Sequence, residues 1–351
     1  KTLECLPTVR PQGLKGSVKY WDGQFDDARL ALALARTAAR AGAIVLNYVE
    51  ATNLIHESGK VAGVVCRDAE SGQSMALRSR CVVNATGVWV DALREQDAQA
   101  TGRAVSALVA PSQGVHLVVD RDFLASDHAL MVPKTADGRV LFAVPWLGKV
   151  ILGTTDTPRH DLAREPTPFP DEVAFILNES ARYLRRPPLA ADVRSVWVGL
   201  RPLVKPQDEN GDNTKSLSRE HTVLASRSGL VTVTGGKWTT YRAMAEDVLQ
   251  KCVASGLLDE RKGGATNDLP LVGAPSGRAV HRMCEPQGWH SYGSDATFVR
   301  QLSGSASELD MGLTEAMVRF AVRNEYARTV EDVLARRWRA LFLDARRSQG
   351  M

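Results

Sequence analysis

VTVTGGKWTTYRAMAEDVLQKC, residues 231–252, joins an alternating strand pattern to a helical pattern through two glycines and a lysine. Glycine lacks a Cβ, so its backbone tolerates positive φ and can approach a ligand closely. A helix start presents unpaired N–H groups and the positive end of the helix dipole, and Lys237 adds a full charge beside them. The stretch therefore predicts a site for an anion or for developing negative charge. The alternative is an ordinary tight turn with a surface lysine.

The composition is that of a globular protein long enough for two domains. Of the 351 residues, 44% are hydrophobic and 24% are charged, and the net charge is +4. Basic residues are mixed with acidic ones, which argues against a nucleic-acid partner. The five cysteines form no CxxC pair and no zinc-like spacing, so we expect no metal site and a reducing compartment. No apolar run reaches the roughly 18 residues of a membrane-spanning helix.

The N-terminal part of the chain has the pattern of a mixed α/β domain. A helix is predicted to begin after Asp26 or Asp27 and to end near Gly42, which suits the left-handed residue after a helix. A β-rich pass through Val49 follows, and a hairpin then leads into a buried strand that ends near Asn84.

The pattern changes between about residue 100 and residue 225. Short strand-like runs separated by turns predict an antiparallel sheet, and the helical pattern DEVAFILNESARYLR predicts a helix against it. The chain returns to the first pattern at residues 231–252.

The C-terminal part is predicted to be mostly helical. LTEAMVRFAVRNEYA and VEDVLARRWRALFLDA have 3.6-residue spacing, with Thr314 and Thr329 as cap candidates. The basic, amphipathic segment ARRWRALFLDARR indicates a solvated helix face or, as the alternative, contact with a membrane surface.

A second candidate site lies at the end of the buried strand in CVVNATGVWVDAL, residues 81–93. Ligands of α/β sheets gather at the carboxyl ends of strands. This strand ends at Ala85, Thr86 and Gly87, and the glycine would let the backbone approach a phosphate. The alternative is an ordinary strand-to-helix turn.

Two arginines and a histidine are further candidates. Arg201 precedes a proline and is held extended, and Arg219 comes just before a strand-like run. Two guanidinium groups on neighbouring strands can grip a phosphate or carboxylate bidentately, unless they pair with local acids such as Asp208 and Glu220. His116, in the apolar strand of PSQGVHLVVD, is either structural or a base with a pKa near neutrality.

Taken together, these segments resemble the FAD-dependent glycerol-3-phosphate dehydrogenases of the glycine oxidase and D-amino-acid oxidase superfamily. The resemblance rests, in this order along the chain, on WDGQFDDARLALALARTAARAGA, VVNATGVWVD, SQGVHLVV, LFAVPWLGKVILGTTD, VGLRPLV, SREHTV and TGGKWTTYRAMAEDV. The tail, with YGSDATFVRQL and VRFAVRNEYARTVEDVLARRWR, is similar to the helical C-terminal domain of that family.

The resemblance implies an α/β (α+β) fold in three parts: an incomplete FAD-binding Rossmann-like domain, an antiparallel-sheet substrate domain and a helical C-terminal domain. The implied regions are 1–98, a partial FAD-binding region; 99–225, the substrate-binding domain; 226–256, a return segment of the FAD-binding domain; and 257–351, the helical domain.

One family feature is absent from this sequence. The family begins with a strand and a GxGxxG turn that hold the FAD pyrophosphate, and the 351 residues contain no GxGxxG. We therefore expect the chain to lack roughly the first third of the usual protein and to hold FAD weakly or not at all by itself.

The resemblance implies oxidation of sn-glycerol 3-phosphate to dihydroxyacetone phosphate, with a hydride passing from C2 to FAD. It places Val49, Ala85, Thr86 and Gly87 along the FAD. It assigns stabilisation of negative charge on the reduced flavin to the backbone of Gly235, Gly236, Lys237 and Thr239. It assigns the substrate phosphate to Arg201 and Arg219, with Lys237 also contacting the substrate, and makes His116 the base or hydroxyl partner.

The implied electron acceptor is a membrane quinone, or oxygen in an oxidase. The implied setting is the cytoplasmic side of the inner membrane, with peripheral attachment and a homodimer. Two alternatives remain open: a related flavin oxidase acting on another small anionic substrate, and a non-catalytic remnant that binds a phosphorylated ligand without flavin.

Overall fold

The computed structural model describes residues 1–135, 138–205, 220–261, 263–275, 277 and 281–351. The strands in these ranges are β1 Val49–Glu57, β2 Lys60–Asp68, β3 Ser74–Arg78, β4 Val82–Asn84, β5 Val109–Asp120, β6 Leu130–Val132, β7 Leu141–Trp146, β8 Lys149–Gly153, β9 Thr157–Pro158, β10 Ser195–Val204, β11 His221–Ala225, β12 Leu230–Gly235, β13 Glu308–Asp310 and β14 Leu313–Thr314. The α-helices are α1 Thr2–Cys5, α2 Asp27–Arg40, α3 Val90–Ala100, α4 Pro170–Tyr183, α5 Tyr241–Ala254, α6 Ala296–Gln301, α7 Glu315–Asn324, α8 Ala340–Leu343 and α9 Ala345–Ser348.

A six-stranded antiparallel sheet forms the centre of the molecule. Its order is β10-β5-β8-β7-β6, with β9 paired to β5. Alternate side chains of a strand point to opposite faces, and on one face Val115, Leu117 and Val119 of β5 pack with Ile176 of α4 in the main core. The predicted antiparallel sheet with a helix against it is confirmed, as is the α/β (α+β) class.

The small sheet has the order β11-β12-β4. Strand β4 is parallel to β12, with Asn84 opposite Thr232, so both strands end at the same edge. Helix α5 covers one side through Val248 and Cys252, which pack on Val231. The expected domain boundary at residue 225 stays a prediction, and the pairing of β11 with β12 favours a boundary before β11.

Helix α2 forms where the sequence predicts a helix. The carboxylate of Asp26 accepts hydrogen bonds from the backbone N–H groups of Ala28 and Arg29, each at 3.1 Å, and so caps α2. The helix stops at Arg40, and Gly42 has φ +95°. The β-rich pass that follows becomes β1, the edge strand of an antiparallel sheet with β2 and β3.

The segment VEDVLARRWRALFLDA, whose 3.6-residue spacing predicts helix, is helical in separate pieces. A π-helical turn, Asp332–Arg337, is followed by a break at Arg339, whose φ is +62°, before α8 begins. The break places the Arg339 guanidinium 4.3 Å from the Phe342 ring centre and 5.3 Å from that of Trp146, so tertiary packing overrides local helix propensity. Both cap candidates are confirmed, since Thr314 accepts from the N–H of Met317 and Thr329 from that of Asp332.

The basic C-terminal segment is packed into the protein. Trp338 and Leu343 are 1% and 5% exposed, so this segment does not present the apolar face that contact with a membrane surface needs. Across the part of the chain that the structure describes, no helix is long and apolar enough to span a bilayer.

Candidate functional site

Two glycine turns lie side by side where β4 and β12 end. The Asn84 side chain holds the first turn, because its Oδ1 accepts from the Thr86 hydroxyl at 2.8 Å and its Nδ2 donates to the Val90 carbonyl at 2.9 Å. Gly87 has φ +64°, and a Cβ there would meet nothing within 4 Å, so glycine is needed for the backbone angle alone. The Thr234 hydroxyl of β12 lies 3.5 Å from the Gly87 carbonyl oxygen, which joins the two turns.

The bend at Gly235 and Gly236 needs glycine both for its backbone angles and for space. Both residues have positive φ, +76° and +75°. A Cβ on Gly235 would lie 2.8 Å from Cγ2 of Val204 in β10, and one on Gly236 would lie 2.7 Å from Sδ of Met244 in α5. The pair therefore lets the chain pass tightly between β10 and the helix that follows.

Lys237 and Thr239 are exposed beside this bend. A short 3₁₀ turn, Trp238–Thr240, separates Lys237 from α5, and the helix itself starts at Tyr241, where the helical pattern of the sequence begins. Ala85 and Thr86 on the neighbouring turn are also exposed. The predicted cofactor residues after β4 and β12 thus form one accessible edge.

Arg201 extends across the face of the central sheet from β10. Its Nη2 donates to the Thr154 hydroxyl at 3.1 Å, and its Nη1 lies 3.6 Å from Oδ1 of Asp156. A Cβ on Gly114 of β5 would collide with the guanidinium, so this glycine makes the path of Arg201 across the sheet available. A carboxylate close to this guanidinium is that of Asp156. Of the two acids considered from sequence, Asp208 lies outside the described residues, and Glu220 lies just before β11.

His116 lies on the same face, two residues along β5 from Gly114. Its ring stacks on Trp197 at 4.2 Å, and a Cβ on Gly153 would lie 2.7 Å from its Cδ2. Burial and the positive charge of Arg201 lower the pKa of His116 to about 3. Of the two interpretations of His116, burial favours the structural one in the free protein, where the imidazole is neutral and its buried Nδ1 is bonded to no group that the structure describes.

Arg201 lies in the same region as the two glycine turns, because its strand, β10, contacts both β12 and the turn at Gly87–Trp89. Val49 is placed differently, at the start of β1 in a separate sheet. That sheet is tied to α3 through a Gln96–Thr52 hydrogen bond. Arg219 falls outside the described residues.

Sequence reasoning missed the residues that surround the side chains of Arg201 and His116. They are Ser112, Gly114, Gly153, Thr154, Asp156 and Trp197. Three of them, Gly153, Thr154 and Asp156, lie in the GTTD part of the family resemblance, which implies no role for them. Gly114 gave no usable signal, because the need for a glycine there appears only when the strands pair.

The chain matches known proteins along most of its length. Residues 1–242 match the family described as FAD dependent oxidoreductase, and residues 264–351 match the C-terminal domain of alpha-glycerophosphate oxidase. A probable mitochondrial glycerol-3-phosphate dehydrogenase of Dictyostelium discoideum is 38% identical over 98% of this chain and 58% of that protein. The mitochondrial glycerol-3-phosphate dehydrogenase of Saccharomyces cerevisiae is 34% identical over 98% of this chain and 64% of its own length.

A solved structure gives the same comparison for the fold. The glycerol-3-phosphate dehydrogenase from Bacillus halodurans, complexed with FAD, superposes with a TM-score of 0.79 at 29% identity, covering 99% of this chain and 71% of that one. The chain therefore spans less than two thirds of the two curated relatives and nearly three quarters of the solved one.

Proposed function

The chain belongs to the FAD-dependent oxidoreductase family, and from this membership we propose that it oxidises sn-glycerol 3-phosphate to dihydroxyacetone phosphate. FAD is the cofactor of this family. The observation that carries the proposal is the position of Arg201: a guanidinium oriented by Thr154 and Asp156 on the strand that borders both glycine turns. A phosphate-bearing substrate at Arg201 would then lie beside the edge where the cofactor is proposed to bind.

The residues present fit one end of a flavin. Parallel strands β4 and β12 end together in turns of positive φ, and the space beside Gly87 is open. We assign the cofactor to Ala85, Thr86, Gly87 and the backbone of Gly235, Gly236, Lys237 and Thr239, with the Lys237 ammonium near the charge that develops. When bound, FAD supplies the acceptor for a hydride, which carries both electrons of the oxidation. The expected place of Val49 along the cofactor stays a prediction.

Arg201 is proposed to hold the substrate phosphate. A guanidinium matches a phosphate bidentately, and its contacts with Thr154 and Asp156 fix its plane before the substrate arrives. Arg219 is proposed as the second phosphate ligand, and Lys237 as a further contact.

His116 is proposed to accept a hydrogen bond from the substrate C2 hydroxyl. A buried imidazole nitrogen without a partner carries a desolvation cost that an arriving hydroxyl would remove. Burial is the larger cause of the lowered pKa of His116 and would remain, but a phosphate dianion on Arg201 would offset the smaller contribution of the Arg201 charge. The substrate would therefore make His116 a better proton acceptor than it is in the free protein.

Replacing Arg201 tests this assignment. In protein supplied with FAD, we expect Arg201→Ala to weaken glycerol 3-phosphate binding and raise KM by about 10- to 100-fold, the effect of losing charge-assisted hydrogen bonds. Calorimetry and glycerol 3-phosphate-dependent reduction of a dye give the two measurements. The matched control is Arg194→Ala, whose guanidinium pairs with Asp120 instead. Equal affinities for the wild type and Arg201→Ala would contradict the proposed function.

The electron acceptor is proposed to be a membrane quinone, reached by peripheral attachment of a homodimer to the inner membrane. Support comes from the relatives, which are named as mitochondrial enzymes. Because the basic tail is packed inside the protein, we do not assign the membrane contact to it. Quinone reduction without peroxide formation would support this acceptor, and oxygen consumption with peroxide formation would favour the oxidase alternative.

A further inference from the structure

A buried polar network lies next to residues 154–157, the segment whose Thr154 and Asp156 contact the Arg201 guanidinium. Its centre is Glu172 of α4, which is 5% exposed. One carboxylate oxygen accepts from the hydroxyls of Thr155 at 2.9 Å and Thr157 at 2.6 Å. The other accepts from the backbone N–H of Phe169 at 2.9 Å and from the side-chain amide of Gln113 at 2.5 Å.

The segment from Thr154 to Thr157 alternates between two sets of partners, as extended chain does. Thr154 and Asp156 contact the Arg201 guanidinium. Thr155 and Thr157, between and after them, contact Glu172 instead. Four consecutive residues therefore connect the buried carboxylate to the guanidinium that is proposed to bind phosphate.

We propose that Glu172 is a positioning residue for the phosphate site: it fixes the Thr154–Thr157 segment and thereby the orientation of Arg201. This inference rests on the proposed function. A carboxylate is suited to the task because it only accepts hydrogen bonds and has room for four donors. An amide in its place would keep only one acceptor oxygen. Its NH₂ group would face either the Phe169 N–H and the Gln113 NH₂, which only donate, or the two threonine hydroxyls, which would then have to accept.

The network is anchored on the sheet as well as on α4. The Thr155 hydroxyl accepts from the backbone N–H of Val115 in β5 at 3.0 Å. Arg159 donates to the Gln113 amide oxygen, which brings a positive charge within one side chain of Glu172. Arg159 itself pairs with Asp161. The buried carboxylate of Glu172 is thus hydrogen-bonded on both oxygens, the condition under which such a group holds its neighbours rigidly.

The test measures the dissociation constant of glycerol 3-phosphate by calorimetry, in buffer with FAD and at a temperature where circular dichroism shows every variant folded. Glu172→Gln should weaken binding by about tenfold, as expected for misplacing a charge-assisted contact. Glu179→Gln is the matched control, because Glu179 lies on the same helix, is also 5% exposed and pairs with Arg182. Its dissociation constant should equal that of the wild type.

A second pair of variants keeps the test valid if Glu172→Gln fails to fold. Thr157→Val removes the hydroxyl and should weaken binding about fivefold, whereas Thr157→Ser retains it and should bind like the wild type. If the role of Thr157 were only to fill space, the hydroxyl retained in Thr157→Ser would not preserve the affinity for glycerol 3-phosphate.

The outcomes distinguish the positioning role of Glu172 from the proposed function. If Arg201→Ala loses affinity while Glu172→Gln or Thr157→Val binds like the wild type, the positioning role is refuted and the phosphate site stands. If the wild type binds no glycerol 3-phosphate, or Arg201→Ala binds it equally well, the proposed function falls and the inference with it.

Discussion

At the residue scale, a glycine gives space to each of the two side chains proposed to meet the substrate. Arg201 crosses β5 over Gly114, and His116 lies against Gly153 on β8. Neither side chain could lie where it does if these strand positions carried a Cβ. The ring of His116 is further fixed by its stacking on Trp197, so its orientation is set before any ligand binds.

The lowered pKa of His116 leads to a pH dependence of stability. The folded-state pKa is about 3 and the ordinary value is 6.5. Between these values the unfolded chain binds a proton that the folded protein excludes, so this contribution is fully present above pH 6.5 and is lost as the pH falls. Going from pH 7.5 to pH 5 should cost the wild type about 2 kcal/mol more than His116→Asn, which cannot be protonated.

Urea unfolding of both proteins at the two pH values measures this difference. The ring resonances of His116 give an independent check by NMR, since they should not move between pH 5 and pH 8. A midpoint between pH 6 and pH 7, or the same pH dependence in both proteins, would refute the burial that the prediction assumes.

At the element scale, the two strand-to-turn junctions differ in why they need glycine, and this difference is measurable. Gly87→Ala should lose about 1 kcal/mol, because it adds only the strain of positive φ. Gly235→Ala should lose about 3 kcal/mol, because its Cβ would also meet Val204 and the Glu220 carbonyl within 2.8 Å. Urea unfolding compares the two variants under one set of conditions, and equal losses would contradict the close packing of the bend against β10.

Much at this scale was predictable from sequence, because periodicity and end signals report local structure. Helix α2 begins and ends at its predicted signals, and α4 and the strands β7 and β8 follow their patterns. The fold class followed from these elements and from the family resemblance. The break at Arg339 was not predictable, because the contacts that accompany it include Trp146, a residue distant in the chain.

The candidate site was predictable in its glycines and arginine but not in its electrostatics. Gly235 and Arg201 stand out by residue type and by neighbouring turn or proline signals. The pKa of His116 depends on burial and on the charge of Arg201, which is 85 positions along the chain but close in space (201 − 116 = 85). Sequence patterns report local structure, and they do not report that Arg201 and His116 lie close together in the fold.

At the scale of the whole molecule, the C-terminal region is joined to the rest by ion pairs and by an aromatic contact. Arg29 of α2 lies 2.7 Å from Glu325, and Arg36 lies 2.7 Å from Asp295. On the other side, Phe342 packs edge-on against Trp197 at 5.5 Å, the residue on which His116 stacks. The C-terminal region therefore supports the proposed substrate site through Trp197, which lies between Phe342 and His116.

The Arg29–Glu325 pair provides the test of that docking. Glu325 is fully buried and the Arg29 side chain is 15% exposed, so neutralising the carboxylate leaves a largely buried guanidinium without its counter-charge. Glu325→Gln should therefore lower the free energy of unfolding by about 3 kcal/mol.

Glu315→Gln is the matched control for this pair. It breaks the exposed pair with Arg319, also at 2.7 Å, and should cost less than about 1 kcal/mol. Urea unfolding measures both losses, and hydrogen exchange should show faster opening of α2 in Glu325→Gln alone. Similar losses in the two variants would mean that the Arg29–Glu325 ion pair contributes no more than a surface pair, and that other contacts hold the C-terminal region in place.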